Sequence, residues 1–313
     1  MPRARTTAAA LAALVALGLS ACSSGATAKG AAVSEGNPAA CPGRVVDVAV
    51  SVGQWGDLAR QLGGACATVT TIVSSAAIDP HDFEPGTSAL AAISDADLVV
   101  VNGAGYDHWA SDAVATLDPA PVVVSAAAIA GVAGSGTNPH LWYSPEIVHE
   151  MSAAVGRALG RLATPKAADY LAQRAAGWSA ALKPYDDAVR TLSGLAPGHS
   201  FAATEPVFDL MAEAIGLTDA TPAGYRRASS NDSDPAPGDL TAFERALADG
   251  SIDVLVYNTQ TSGTVPEQLR AAAERGRVPV VEVSESPPDA GGSFVAWQLA
   301  QLMELSNALG TKP

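Results

Sequence analysis

SPEIVHEMSAAVGRALGRLATPKAADYLAQRAAGWSAALKPYDDAVRTLSGL, residues 144–195, is the stretch on which the fold turns. It holds no strand-like run, and apolar positions recur at helical spacing throughout. Ser144 and Pro145 supply a cap and a first-turn residue for one amphipathic helix. A second helix starts at Thr164-Pro165 and continues to Leu195, with Pro184 inside it. Proline lacks an amide proton and its ring meets the preceding turn, so Pro184 predicts a kink or a division. So long a helical stretch predicts a stiff connector between two bodies. Two helices packed inside one large domain is the other reading of the same pattern.

On both sides of this stretch the rhythm changes. Short β-branched runs alternate with helical segments: RVVDVAVS (44–51), TVTTIV (68–73), LVVVN (98–102) and PVVVS (121–125) before it, and SFAAT (200–204), DVLVYN (253–258) and VPVVEV (278–283) after it. Helices such as WGDLARQLG (55–63) and PEQLRAAAERG (266–276) fall between them. Alternation of this kind is the mark of parallel α/β architecture. The expected fold is α/β, two lobes of parallel-sheet type joined by a long backbone helix. The expected boundaries are 44–160 for the first lobe, 161–195 for the linking helix and 196–313 for the second lobe. TPAGYRRASSNDSDPAPG (221–238) reads as a loop.

The 313 residues suffice for two cores, and 48% hydrophobic with 16% charged composition is that of a packed protein. A net charge of -14 argues against nucleic acid, whose phosphates call for basic surfaces. Residues 1–21 read as an export signal: Arg3 and Arg5, then the apolar run AAALAALVALGL, too short to span a membrane. The run ends in LSAC, Leu19 to Cys22, which resembles the processing box of bacterial lipoproteins and makes Cys22 the expected lipidation site. The small, polar residues that follow, to residue 43, read as a flexible tether. Export also makes Cys41 and Cys66 an expected disulfide, since each lies just before a predicted strand and no CxxC spacing favours a metal.

Four side chains fall beyond the carboxyl ends of predicted strands, where open parallel sheets bind ligands. His81, in DPHDFEPG (79–86), sits between two prolines that stiffen its loop. His140 lies in TNPHLWYSP, Glu205 follows SFAAT directly, and Glu285 follows VPVVEV. Two imidazoles and two carboxylates, two from each half, make a donor set for a divalent first-row metal in the cleft between lobes. Each taken singly has a plainer reading: a hydrogen-bonded loop histidine, or a glutamate at a helix start. His108, His149 and His199 read as structural, and Trp142 as either a shield for the metal or part of the core.

PHDFEP, VNGAGYDHW, NPHLWYSP, ATEPVFDLMAEAIGL and VLVYNTQTSG together give the chain a family likeness. It resembles the solute-binding lipoproteins of bacterial zinc and manganese ABC importers. The resemblance implies two α/β lobes on a rigid helix, with His81, His140, Glu205 and Glu285 as metal ligands. It also implies a monomer held at the outer face of the cell membrane by its lipid, and an ABC transporter permease as partner. It departs from zinc-specific relatives in lacking a His-rich loop and in carrying Glu205 where many have histidine. Carboxylates suit Mn²⁺, yet Zn²⁺ binds the same donors more tightly, so Zn²⁺ or Mn²⁺ stays open. A metal-dependent hydrolase, or an adhesin with a structural metal, stands as the rival reading. The hydrolase has neither HExxH nor G-x-S-x-G to support it.

Overall fold

The computed structural model describes Met1 and residues 31–310, apart from 133–135, 232, 262, 289 and 290. The expected export signal beyond Met1, and Cys22, lie outside the described residues. The first half runs β1 (Ala32–Ser34), β2 (Val46–Val52), α1 (Gly53–Gly63), β3 (Ala67–Val73), α2 (Thr87–Ser94), β4 (Leu98–Val101), α3 (His108–Ala115), β5 (Val122–Ser125) and α4 (Ala126–Ala130). The middle is helical, α5 (Pro145–Leu162) and α6 (Ala168–Leu195). The second half runs β6 (Ser200–Ala203), α7 (Asp209–Ile215), β7 (Thr218–Asp219), α8 (Ala223–Ser229), α9 (Pro237–Ala248), β8 (Val254–Asn258), α10 (Thr264–Gly276), β9 (Val280–Val283) and α11 (Phe294–Gly310).

Two sheets result. The first has the order β1-β3-β2-β4-β5, parallel except for β1, and the second has the order β7-β6-β8-β9, parallel throughout. In each, the chain steps to one side of its first parallel strand and then to the other. Such reversals open a crevice at the carboxyl ends of the strands. The central strands are buried on both faces, as β8 shows with all five residues inside. Among the described residues no helix is long and apolar enough to cross a membrane.

Three expectations are corrected. The tether does not extend to residue 43, because Ala32–Ser34 forms β1, antiparallel to β3. The Gly36 amide then donates to Thr68 Oγ1 at 3.1 Å and the Asn37 amide to the Ala65 carbonyl at 2.8 Å. Without this strap β3 would present an unpaired edge. The linking helix does not begin at 161, because Arg161 and Leu162 finish α5, and Thr164-Pro165 turns the chain before α6. The residue before a proline is pushed out of helical geometry, which is why the break falls there. The 221–238 loop contains α8, anchored by buried Tyr225, whose ring meets Phe243 at 4.8 Å.

Pro184 does not divide α6. The helix runs unbroken past it, with Leu182 and Tyr185 on either side both buried. An interior proline costs about 3 kcal/mol, and burial of two large side chains is of the size needed to offset it. One hydrophobic core runs through both halves, from β2 and α1 to β6, β8, α7 and α11, while a smaller one lies under α9 and α10. Rings bridge the halves: Tyr143 stands 5.3 Å from Phe208 and 6.0 Å from Trp297, and Phe294 meets Tyr185 of α6 at 6.2 Å. Cys41 and Cys66 are joined by a disulfide with 4.9 Å between Cα atoms.

Candidate metal site

His81, His140, Glu205 and Glu285 all line one cavity of about 470 Å³ between the two halves. His81 comes from the β3–α2 loop, where its amide donates to Asp79 Oδ1 at 2.8 Å and its ring meets Tyr106 edge-on at 4.7 Å. His140 comes from the loop after α4 and is 6% exposed. Glu205, in extended geometry, links β6 to the turn opened by Pro206. Glu285 follows β9. His140 Nε2 stands 3.7 Å from Glu285 Oε2. Among the described residues no three His, Cys, Asp or Glu side chains are gathered into a group that could hold an ion as they stand.

The tautomer of His140 follows from its neighbours. Asn138 Nδ2 donates to the Pro206 carbonyl at 2.7 Å, so Oδ1 is the atom turned to His140, where it accepts the backbone amide at 3.0 Å. The ring nitrogen Nδ1, 2.7 Å from that oxygen, therefore carries the proton. In the neutral ring Nε2 is then the nitrogen with the lone pair, and it is the one turned to Glu285. This is how metal-binding imidazoles are oriented in general.

The carboxylates are held by amides and a phenol. Asn258, the last residue of β8, donates from Nδ2 to Glu205 Oε2 and, at 3.0 Å, to Glu285 Oε1. Tyr106 is fully buried, and its hydroxyl donates to Glu285 Oε2 at 3.2 Å. Burial and the nearby Glu285 charge push the Tyr106 hydroxyl well above its usual range, so it keeps its proton. Gln54 Nε2 donates to that phenol oxygen at 3.0 Å and to the Glu285 carbonyl at 2.8 Å. Burial pushes the Glu205 carboxyl up. Burial works on Glu285 the same way, but His140 in its protonated form, whose Nε2–H faces the carboxylate, together with Asn258 and His81, brings it below its usual range.

The loop after β4 supports the first half of the site. Asn102 Nδ2 donates to the Pro139 carbonyl at 2.8 Å, tying β4 to the residue before His140. Buried Asp107 accepts from the amides of Asn102 and Gly103, both at 2.7 Å. Gly103 has φ +76, and a Cβ there would stand 2.6 Å from that of Ala127, so the turn requires glycine. Of the remaining histidines, His108 is exposed, His149 pairs with Asp186 at 2.9 Å, and His199 lies 3.9 Å from Asp253. Trp142 is wholly buried, its ring 5.3 Å from His140 and 4.9 Å from Tyr106.

Asn102, Asn138, Tyr106 and Asn258 do not stand out in the sequence as site residues, because none is a strong metal donor. A usable signal is present all the same: both LVVVN and DVLVYN end an apolar strand in asparagine, at the sheet edge where the ligands gather.

The chain thus forms two α/β lobes on a helical spine, with a polar cleft between them lined by loops of both. Residues 48–308 match the family model described as zinc-uptake complex component A, periplasmic (ZnuA), and the chain belongs to that family. The manganese-binding lipoprotein MntA of Halalkalibacterium halodurans is 31% identical over 103 residues, 32% of this chain and 34% of that one. The high-affinity zinc uptake system protein ZnuA of Bacillus subtilis is 23% identical over 210 residues, 61% of this chain and 64% of that one. The matches thus span about a third and just under two thirds of these curated relatives. The periplasmic zinc binding protein TroA of Treponema pallidum shares the fold with a TM-score of 0.70 at 18% identity, over 85% of this chain and 99% of that one.

Proposed function

We propose that this protein captures a divalent transition metal, zinc or manganese, outside the cytoplasm and hands it to the permease of an ABC importer. It works as a monomer tethered by lipid at Cys22, and it does no chemistry on its cargo. The observation carrying this reading is that two imidazoles and two carboxylates, each from a different loop, line one cleft, with His140 Nε2 turned to Glu285. Four protein donors with no position set aside for water suit capture rather than hydrolysis. The ligands are His81, His140, Glu205 and Glu285.

Elemental analysis and calorimetry of the soluble domain, titrated with Zn²⁺ and Mn²⁺, test the reading. One tight, chelator-removable ion per chain is expected, with binding weakened in both His140→Ala and Glu285→Ala. Unchanged affinity in Glu285→Ala would remove that residue from the ligand set. Absence of tight binding for either ion would sink metal capture, and an ion that leaves only on unfolding would favour a structural metal.

A further inference from the structure

The bridging amide of Asn258 has a consequence for which ion the cleft prefers. A carboxylate binds a metal through one oxygen or through both. Asn258 Nδ2 spends its two protons on Glu205 Oε2 and Glu285 Oε1. Each carboxylate keeps its other oxygen outside that bridge; for Glu285 it is Oε2, which faces His140 Nε2 and accepts only the longer bond from the Tyr106 hydroxyl, at 3.2 Å. The amide is not free to swing away. Asn258 is 1% exposed, its Oδ1 accepts the Gln260 amide at 3.1 Å, and its own backbone amide donates to Thr204 Oγ1 at 3.0 Å. Gln260 is fixed in turn, donating to the Ala76 carbonyl and accepting from the Ser286 amide, both at 2.8 Å. Releasing Asn258 would strand a buried donor, which the fold resists.

We infer that Asn258 is a specificity-determining residue: by fixing the orientation of both carboxylates it favours binding through one oxygen of each, and so Zn²⁺ over Mn²⁺. The inference rests on the capture reading of the cleft. Zn²⁺ is satisfied by four ligands in a tetrahedron, whereas Mn²⁺ sits best in oxygen-rich octahedral sites. Six donors from these four residues would need both carboxylates to bind through both oxygens, and Asn258 opposes that at each one. Residues that orient ligands change metal affinity by about 10–100-fold when removed, a scale sufficient to set a preference.

Co²⁺ serves as a spectroscopic probe because its visible bands are intense in a tetrahedral site and weak in an octahedral one. The wild-type Co²⁺ complex is expected to show tetrahedral bands, a result that needs no variant. Asn258→Ala, and Asn258→Leu as a variant of similar volume, are then compared with wild type by competition titration. The ratio of Zn²⁺ to Mn²⁺ association constants should fall by about 10–100-fold in both, and the Co²⁺ bands should weaken. Octahedral Co²⁺ in wild type, or an unchanged ratio in folded variants, would overturn the role of Asn258 alone. Failure of wild type to bind any of the three ions would remove the capture reading, and this inference with it.

Discussion

At the scale of single residues, the side chains that orient the proposed ligands matter as much as the ligands themselves. Asn138 is not among the proposed metal ligands, yet it sets which nitrogen of His140 is protonated. Asn138→Ala should therefore weaken Zn²⁺ binding by about 10–100-fold with little change in melting temperature, checked by calorimetry beside a thermal melt. A second residue bears on pH. Burial pushes the Asp209 carboxyl from 3.8 to about 6, although Arg226 stands 2.7 Å away. A carboxyl raised on folding favours the fold below 3.8 and loses that contribution as pH rises through about 6. Asp209→Asn should consequently gain stability relative to wild type as pH is raised across that window, and hold the gain above it. Parallel melts across the range check this, and a difference independent of pH would refute it. His81 and His140 were legible in the sequence because a histidine in a proline-stiffened loop beyond a strand has few plain reasons to be there. Asn138 and Asn258 were not, since an asparagine acquires its role only from partners distant in the chain, as 68 residues separate Asn138 from Pro206.

At the scale of elements, α11 shows how the halves are joined. Its first residue, Phe294, has an amide that would lack a partner at the helix start, and Asp57 Oδ2 of α1 accepts it at 3.0 Å. The carboxylate also lies at the positive end of the helix dipole. A capping acceptor is worth about 1–2 kcal/mol, and a chain of this size loses about 2–4 °C per kcal/mol. Asp57→Ala should lower the melting temperature by about 2–8 °C, whereas Asp57→Asn, which keeps an acceptor, should lower it less. Equal losses in the two variants would mean that the charge, through Arg60 at 3.7 Å or the dipole, carries the effect. The core strands and long helices were legible from their apolar patterns. β1, β7 and α8 were not: β1 and β7 are too short to carry a period, and α8 is helical because Tyr225 is pulled into the smaller core. Pro184 misled in the other direction, since local propensity argues for a break that packing on both sides of it prevents.

At the scale of the whole molecule, the two lobes are two by topology and one by packing. A single hydrophobic core passes from β2 to α11, and the polar links crossing between halves are mostly buried. The Tyr143 hydroxyl shares its one proton between the Ser284 carbonyl at 2.7 Å and Gln301 Oε1 at 2.6 Å, and Gln54 reaches Glu285. Lobes that shared only a hinge would unfold separately; lobes that share a core cannot, because melting one exposes apolar surface of the other. The protein should therefore melt in one transition, its calorimetric enthalpy equal to the van't Hoff value. Cargo bound between the lobes then stabilises the whole: at about 100 times the dissociation constant a ligand adds about 2.7 kcal/mol, or about 5–11 °C for a chain of this size. Scanning calorimetry with and without Zn²⁺ would show that one peak moving up intact. Two peaks, with only one of them shifted by metal, would mean that the shared core does not couple the halves and that the cleft is built on a hinge.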